Sequence, residues 1–336
     1  MIDLYVDPAA TGTNTGEDWT NAYTSIAPTW ANDGPAYTDS EGVQVLTDNV
    51  TVHARGTEAS GGLTTPNTAT DRNGYTFEII NDSDSPYFTL SVAGVNLLYA
   101  NSNRVSKFNR VLFDYPYEGS NSNSFLLRTT TNVNGGGAII FENCVFRMGG
   151  LSTNWNLYPN NTGDVWTFNN CLLLGWYTSE TPAPFLYNRR ANVALNNCTI
   201  LGAPGDGVVQ HAGSTNTLRN CYIGGCGGSA VGDDGGTVVA VTTAIDDESS
   251  AVSGITQNVS VASCNFVDAT AGQQDVATTS GSALHDAGTN IGPTGTEAVT
   301  YTDDHFGTGR GSDWDIGAFE FVADTAPPMP QYIYGA

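Results

Sequence analysis

The sequence predicts an all-β solenoid, one coil of stacked strands. Three observations carry this. The first is a recurring Asn-Cys step. It reads Phe141-Glu142-Asn143-Cys144-Val145-Phe146, then Phe168-Asn169-Asn170-Cys171-Leu172-Leu173. It returns as Leu195-Asn196-Asn197-Cys198-Thr199-Ile200 and as Leu218-Arg219-Asn220-Cys221-Tyr222-Ile223. The cysteines step by 27, 27 and 23 residues. A period of about 20–30 residues with one short apolar strand per copy marks a solenoid. The second observation is the alternation of apolar and polar residues inside each copy, the period of a strand and not of a helix. The third is composition. The chain has 39 Gly and only 13% charged residues, rich in turn and strand formers.

The stacking logic follows from the period. With one repeat per coil, equivalent residues lie about 4.8 Å apart. Phe141, Phe168, Leu195 and Leu218 then form one inward column, and Cys144, Cys171, Cys198 and Cys221 another. A bend must lie between Asn and Cys, with Asn143, Asn170, Asn197 and Asn220 stacked there as an amide ladder. The Cys column reads as small apolar core and not as a metal site, because Cys-x-x-Cys spacing is absent. A weaker copy is expected at Val261-Ala262-Ser263-Cys264-Asn265-Phe266 and an earlier one at Phe108-Asn109-Arg110-Val111-Leu112-Phe113.

Charge excludes some partners. The 34 acidic residues face 11 basic ones, for a net charge of −23, and Lys107 is the lone lysine. Nucleic acid needs Lys and Arg to neutralise phosphates, and anionic lipid also needs basic residues. No run of 18 apolar residues predicts membrane insertion, and no basic, apolar leader opens the chain. The acidic balance reads as a hydrated surface.

In chain order, residues 1–35 are expected to be a strand followed by a capping helix. Asp18 would be its N-cap, and Trp19, Ala22, Tyr23, Ile26 and Trp30 its buried stripe. Residues 36–321 are the solenoid with loop insertions. Its first strands are read at Val43–Leu46, Val50–Ala54, Tyr75–Ile80, Phe88–Val92 and Val95–Tyr99. Later strands are read at Val238–Val241 and Val259–Ala262. Residues 322–336 are an extended Pro-rich tail ending in Tyr332, Ile333 and Tyr334.

Three stretches carry a resemblance. Tyr5-Val6-Asp7-Pro8 through Gly16-Glu17-Asp18-Trp19-Thr20-Asn21-Ala22-Tyr23 resembles the start of right-handed parallel β-helix repeat proteins. Val50-Thr51-Val52-His53-Ala54-Arg55-Gly56-Thr57 resembles their first full coil. Asp313-Trp314-Asp315-Ile316-Gly317-Ala318-Phe319-Glu320 is similar to their closing motif. Proteins of this kind occur as phage virion fibres, spikes and decorations, as secreted adhesins, and as polysaccharide lyases and hydrolases. The resemblance therefore implies the fold, and function must come from the site.

Two sets of residues are candidates for chemistry. Trp155, Tyr158, Trp176, Tyr177, Tyr187, Arg189 and Arg190 fall in or beside the loops, where aromatic faces suit sugar rings and protein partners alike. Gly232-Asp233-Asp234 resembles the acidic pair of polygalacturonases, and paired carboxylates can cleave glycosides. The accompanying Asn-Thr-Asp, Gly-His-Gly and Arg-x-Lys motifs are missing, and a Gly-flanked Asp pair also reads as a turn. No cofactor is expected. Ca²⁺ would need ligands gathered from several coils around Asp246-Asp247-Glu248 or Asp303-Asp304, and both read first as solvated loops. Asp303-Asp304-His305 resembles a linker before the closing motif, a structural role.

The function expected from the sequence is non-enzymatic: a tailed-phage virion protein, displayed at the surface as fibre, spike or capsid decoration. Its expected partners are other virion proteins, copies of itself and host-surface carbohydrate. The tail residues Tyr332, Ile333 and Tyr334 would serve assembly. The alternatives are a β-helical polysaccharide depolymerase and a secreted bacterial adhesin at the cell surface.

Overall fold

The Asn-Cys step is the corner of a coil. Asn143, Asn170, Asn197 and Asn220 all have φ near +50°, the left-handed conformation, as do Arg110 and Thr242 at the equivalent points of neighbouring coils. Asn tolerates this region better than other non-glycine residues. One left-handed residue turns the chain between two strands without a loop. The strand before each corner belongs to one sheet and the strand after it to a second.

The computed structural model describes residues 1–26, 37–40, 43–46, 48–59, 63–64, 76–82, 87–91, 98–100, 105–115, 127–129, 137–148, 157–175, 183–250, 252–268, 275–279, 281–291, 303–305 and 307–321. Three sheets of parallel strands wind around one core. The first has nine strands: Ile2–Val6, Val50–Ala54, Thr76–Asn81, Val105–Asn109, Ala138–Glu142, Val165–Asn169, Asn192–Asn196, Thr215–Arg219 and Thr237–Val241. The second, also nine-stranded, runs from Thr57–Ala59 through Val145–Met148, Leu172–Gly175, Thr199–Leu201 and Tyr222–Gly224 to Thr243–Ile245 and Ile255–Thr256. The third has seven, including Leu127–Thr129, Leu157–Tyr158, Leu186–Asn188, Val208–His211 and Val231–Asp234. Each coil contributes one strand to each sheet in turn, so the chain is a parallel β-helix.

Columns fill the interior as the repeat requires. Phe108, Phe141 and Phe168 stack at 5.3 and 4.8 Å, continued by buried Leu195 and Leu218. Phe113 and Phe146 stack at 4.8 Å on the second sheet, followed by Leu173, Ile200 and Ile223. Leu127, Leu157, Leu186, Val208 and Val231 line the third. Each such side chain stabilises by roughly 1.5–3 kcal/mol on burial. Among the cysteines, Cys144, Cys171, Cys198 and Cys221 are buried and all six are free. Each thiol of this column donates to two carbonyls, one two residues back and one in the preceding coil. Cys171 Sγ reaches Asn169 O at 3.3 Å and Phe141 O at 3.5 Å. The amide ladder forms in part. Asn170 donates to Asn143 Oδ1 at 3.4 Å, and Asn220 to Asn197 Oδ1 at 3.1 Å.

Four expectations are corrected. Residues 11–26 form bends and not a helix. Asp18 does cap a turn, accepting from Asn21 N at 2.8 Å, but Tyr23 then pairs with Val6 alongside the first strand. That pairing draws the chain out of helical geometry. Val43–Leu46 is not a rung of the coil; it pairs antiparallel with Tyr37–Ser40. The stretch expected as strand at Val259–Ala262 gives way to a 3₁₀ turn at Val261–Cys264, capped by the Ser260 side chain. Phe266–Asp268 then pairs antiparallel with Asp275–Thr278. Finally, the closing motif does not end the coil. Leu284, Ile316, Ala318 and Phe319 lie along its side, on the apolar outer face of the second sheet formed by Leu112, Val145, Leu172, Leu174, Leu201 and Tyr222. Trp30, residues 322–336 and therefore Tyr332, Ile333 and Tyr334 lie outside the described residues.

Candidate functional site

The outer face of the third sheet gathers residues far apart in sequence. Along Val208–His211 and Val231–Asp234, successive side chains point to opposite faces of the sheet. Register places Tyr187 beside Val209, Val209 beside Gly232, and His211 beside Asp234. Tyr187 therefore reaches across the small residue Gly232 and the short Val209. Its hydroxyl donates to Asp234 Oδ2 at 2.6 Å. His211 Nε2 approaches the same oxygen at 3.8 Å. On the other side, the rings of Tyr158 and Tyr187 stack at 6.0 Å, and Arg189 donates to the Tyr158 hydroxyl at 2.9 Å. Arg190 is exposed beside them.

The result is a continuous row across neighbouring coils: Arg189 and Tyr158, then Tyr187, then Asp234 and His211. Tyr158 is buried and holds the row at one end. Tyr187, Arg189 and His211 are half-buried, and Asp234 is exposed. Burial first, and then the Asp234 carboxylate, pushes the Tyr187 hydroxyl up to about 12. It stays protonated at neutral pH as a donor, and Asp234 remains its acceptor. Such a row offers an aromatic face, a carboxylate acceptor and a guanidinium donor, the groups that bind sugar hydroxyls and rings.

The acidic pair does not act as a pair. Asp233 and Asp234 are successive residues of one strand, so their side chains leave on opposite sides. Asp233 Oδ1 accepts from Gly235 N at 2.9 Å, closing the turn after the strand. A glycosidase needs two carboxylates facing each other across the bond to be cut. Asp234 joins the row, whereas Asp233 serves the backbone.

Of the other loop aromatics, Trp166 and Phe185 are buried in the coil, while Trp155, Trp176 and Tyr177 lie outside the described residues. His211 was not anticipated. It joins the row only because the coil from Val208 to Val231 is 23 residues long, a spacing already visible between Cys198 and Cys221.

Two acidic groups have other work. Asp246 and Asp247 are not free in a solvated loop: Asp247 accepts from Ala230 N at 2.7 Å and Ser249 N at 2.9 Å, tying adjacent coils. His285, Asp286 and Asp315 have ligand atoms within 4.8 Å of one another, enough to hold a cation. Both Asp315 oxygens, however, already accept backbone donors, from Asp286 N and Phe321 N, each at 2.7 Å. His305 and Asp304 are buried in the packing of the closing segment, so Asp304 does not lie in the solvated loop expected of Asp303-Asp304, whereas Asp303 is exposed.

No family model matches this chain, and no curated protein matches it. Among solved structures it is similar to a rhamnogalacturonan lyase, at 11% identity, over 73% of this chain and 68% of that one, with a TM-score of 0.49.

Proposed function

We propose that this chain is a non-enzymatic, surface-displayed β-helix of a phage particle, a fibre, spike or capsid decoration, whose third-sheet face binds host carbohydrate. The observation that carries the binding role is the row Arg189–Tyr158–Tyr187–Asp234. It presents the half-buried ring of Tyr187, backed by buried Tyr158, and a tyrosine–carboxylate hydrogen bond of 2.6 Å on a rigid sheet. Rigid elements hold a binding constellation with little ordering cost. The acidic, lysine-poor surface keeps an exposed protein hydrated and turns away nucleic acid. In this reading, residues 322–336 supply the attachment peptide through Tyr332, Ile333 and Tyr334, and deleting residues 323–336 abolishes incorporation into particles.

A depolymerase is the second reading, favoured by the approach of His211 to Asp234 at 3.8 Å, which sets an imidazole beside a carboxylate. One experiment separates the two. The protein is screened against host capsular and lipopolysaccharide glycans for retention, and the products are assayed for reducing ends and unsaturated uronides. Binding that falls at least tenfold in Tyr187→Ala, with no new ends, supports adhesion. New ends that vanish in Asp234→Asn support cleavage. Unaltered binding in Tyr187→Ala removes the third-sheet face as the site.

A further inference from the structure

The closing segment folds against itself beside the second sheet. Ile316 N donates to Leu284 O at 2.9 Å and Gly288 N to Trp314 O at 2.6 Å, so residues 284–288 and 314–316 lie side by side. Leu284 and Ile316 belong to the apolar cluster on the outer face of that sheet. Their chain neighbours His285, Asp286 and Asp315 gather at one spot, with donor atoms within 4.8 Å of one another. Among the described residues this is the one group of three His, Cys, Asp or Glu side chains so close.

Three features fit this spot to a cation. The first is distance. His285 Nδ1 lies 3.4 Å from Asp286 Oδ2. A charge-assisted hydrogen bond would draw the pair to about 2.7–2.9 Å. Two donors each about 2.0–2.1 Å from a tetrahedral ion stand about 3.4 Å apart. The second is aim. Asp315 is buried, and Asp286 N and Phe321 N each hold one of its oxygens at 2.7 Å. An N–H occupies one lone pair of a carboxylate oxygen and leaves the other for a metal. Outer partners of this kind are what orient ligating carboxylates. The Phe321 ring also meets the His285 ring edge-on at 5.1 Å, so one residue steadies two of the three donors. The third is charge. Two carboxylates share the spot, one of them buried, and a cation between them offsets their repulsion.

We propose that His285, Asp286 and Asp315 form a Zn²⁺ site that clasps the closing segment. One imidazole nitrogen and two carboxylate oxygens suit zinc, and water completes the coordination on the side where Asp286 is exposed. Ca²⁺ takes about six to eight oxygen ligands and has little use for an imidazole. On binding, the half-buried His285 and exposed Asp286 side chains draw in towards the fixed Asp315 carboxylate. The ion then ties residues 284–288 to residues 314–321 and holds Leu284, Ile316 and Phe319 on the apolar face of the second sheet. The inference uses none of the residues of the carbohydrate row and stands apart from it.

Calorimetric titration of the chelator-treated protein with ZnCl₂ tests the proposal. One Zn²⁺ should bind per chain and raise the melting temperature, and CaCl₂ at the same concentration should do neither. His285→Ala and, independently, Asp286→Asn change side chains that reach solvent, so both variants should stay folded. Each should bind Zn²⁺ at least tenfold more weakly. His53→Ala removes another histidine set between carboxylates, those of Asp3 and Asp82, and should leave the affinity unchanged. Amide hydrogen exchange in residues 284–288 and 314–321 should slow with Zn²⁺ in the wild type and not in His285→Ala. Absence of one-to-one binding overturns the proposal. So does full affinity in His285→Ala or Asp286→Asn, loss of binding in His53→Ala, or an equal response to Ca²⁺. Binding that leaves exchange in these residues unchanged overturns the clasp.

Discussion

Asn220 and Thr289 exchange hydrogen bonds: Thr289 N donates to Asn220 Oδ1 at 2.9 Å, and Asn220 Nδ2 donates back to Thr289 O. One side chain at a coil corner thus mimics a backbone partner for the closing segment. Gly317 N also donates to Asn220 O at 2.8 Å. One coil away Ala318 N donates to Thr199 Oγ1 at 3.1 Å, and two coils away Asn170 Nδ2 donates to Asp303 O at 2.9 Å. The ladder of corner amides that stacks the coils is also the rail on which the C-terminal segment is fastened.

Asn220→Ala should therefore cost more than a surface substitution. It places alanine at φ +49°, a strain of about 1–2 kcal/mol, and deletes hydrogen bonds to Asn197 and Thr289, each worth about 1 kcal/mol. A loss of roughly 2–4 kcal/mol in urea unfolding is expected. Asn220→Gly should lose less, because glycine enters the left-handed region freely. Equal losses for the two variants would show that backbone strain plays no part at this corner.

The thiol column makes a redox prediction. Burial pushes the thiols of Cys171, Cys198 and Cys221 well above the ordinary cysteine range, and that of Cys226 up to about 12. Thiolate is the reactive form, so these groups should ignore a thiol reagent at pH 8 while the protein is folded. After denaturation six thiols should titrate, since all six are free. Fewer than six in the denatured protein would mean that disulfides form in place of the Sγ–carbonyl contacts.

Much of this fold is legible in the sequence, and the misses have physical causes. Asn143, Asn170, Asn197 and Asn220 reveal the corner because Asn is the side chain that tolerates left-handed backbone cheaply. Arg110 and Thr242 occupy the same corner without that signal. The expected N-terminal helix is absent over residues 11–26 although its cap signal is real: Asp18 closes its turn, and pairing of Tyr23 with Val6 then overrides local propensity. The candidate site was legible only as separate residues. Tyr187 and Asp234 are 47 positions apart and meet because two coils of unequal length lie between them. No local pattern encodes that register.

Acid should loosen the closing segment through His305. Its Nδ1 faces the Asn170 carbonyl, which can only accept, so Nδ1 carries the proton and Nε2 accepts from the Tyr87 hydroxyl. Burial first, and then the Arg110 charge, lowers its pKa to about 4. Between about pH 6.5 and 4 the unfolded chain binds the proton and the folded chain does not, so stability falls as pH falls through that window. The full shift corresponds to about 3 kcal/mol. Buried Glu58 and Asp315 and half-buried Asp246 and Glu320, all held above the usual carboxylate range, act in the opposite sense on acidification. The difference between wild type and His305→Gln isolates the histidine. His305→Gln should be less stable at pH 7 and show a flatter loss from pH 6.5 to 4. Parallel curves would exclude His305 as the titrating group.

Arg310 tests whether the closing segment is held by charge or by packing. Its side chain is fully buried, with Nη1 3.2 Å from Glu320 Oε2 and Nη2 3.1 Å from Gly317 O. A buried pair is costly to assemble and costlier to break, because removing one partner strands the other charge, typically at 3–5 kcal/mol. Arg310→Met should lose stability of this order. Burial already raises the pKa of Glu320, so the variant should regain part of the loss at pH 5, where the stranded carboxyl is more readily neutralised. Adding Glu320→Gln to Arg310→Met removes the stranded charge, so the double variant should be more stable than Arg310→Met alone. With wild type and Glu320→Gln alone, these two variants form a double-mutant cycle in chemical denaturation. A coupling near zero, with the two losses simply adding, would mean that the apolar contacts of Ile316, Ala318 and Phe319 hold the segment and the ion pair contributes nothing.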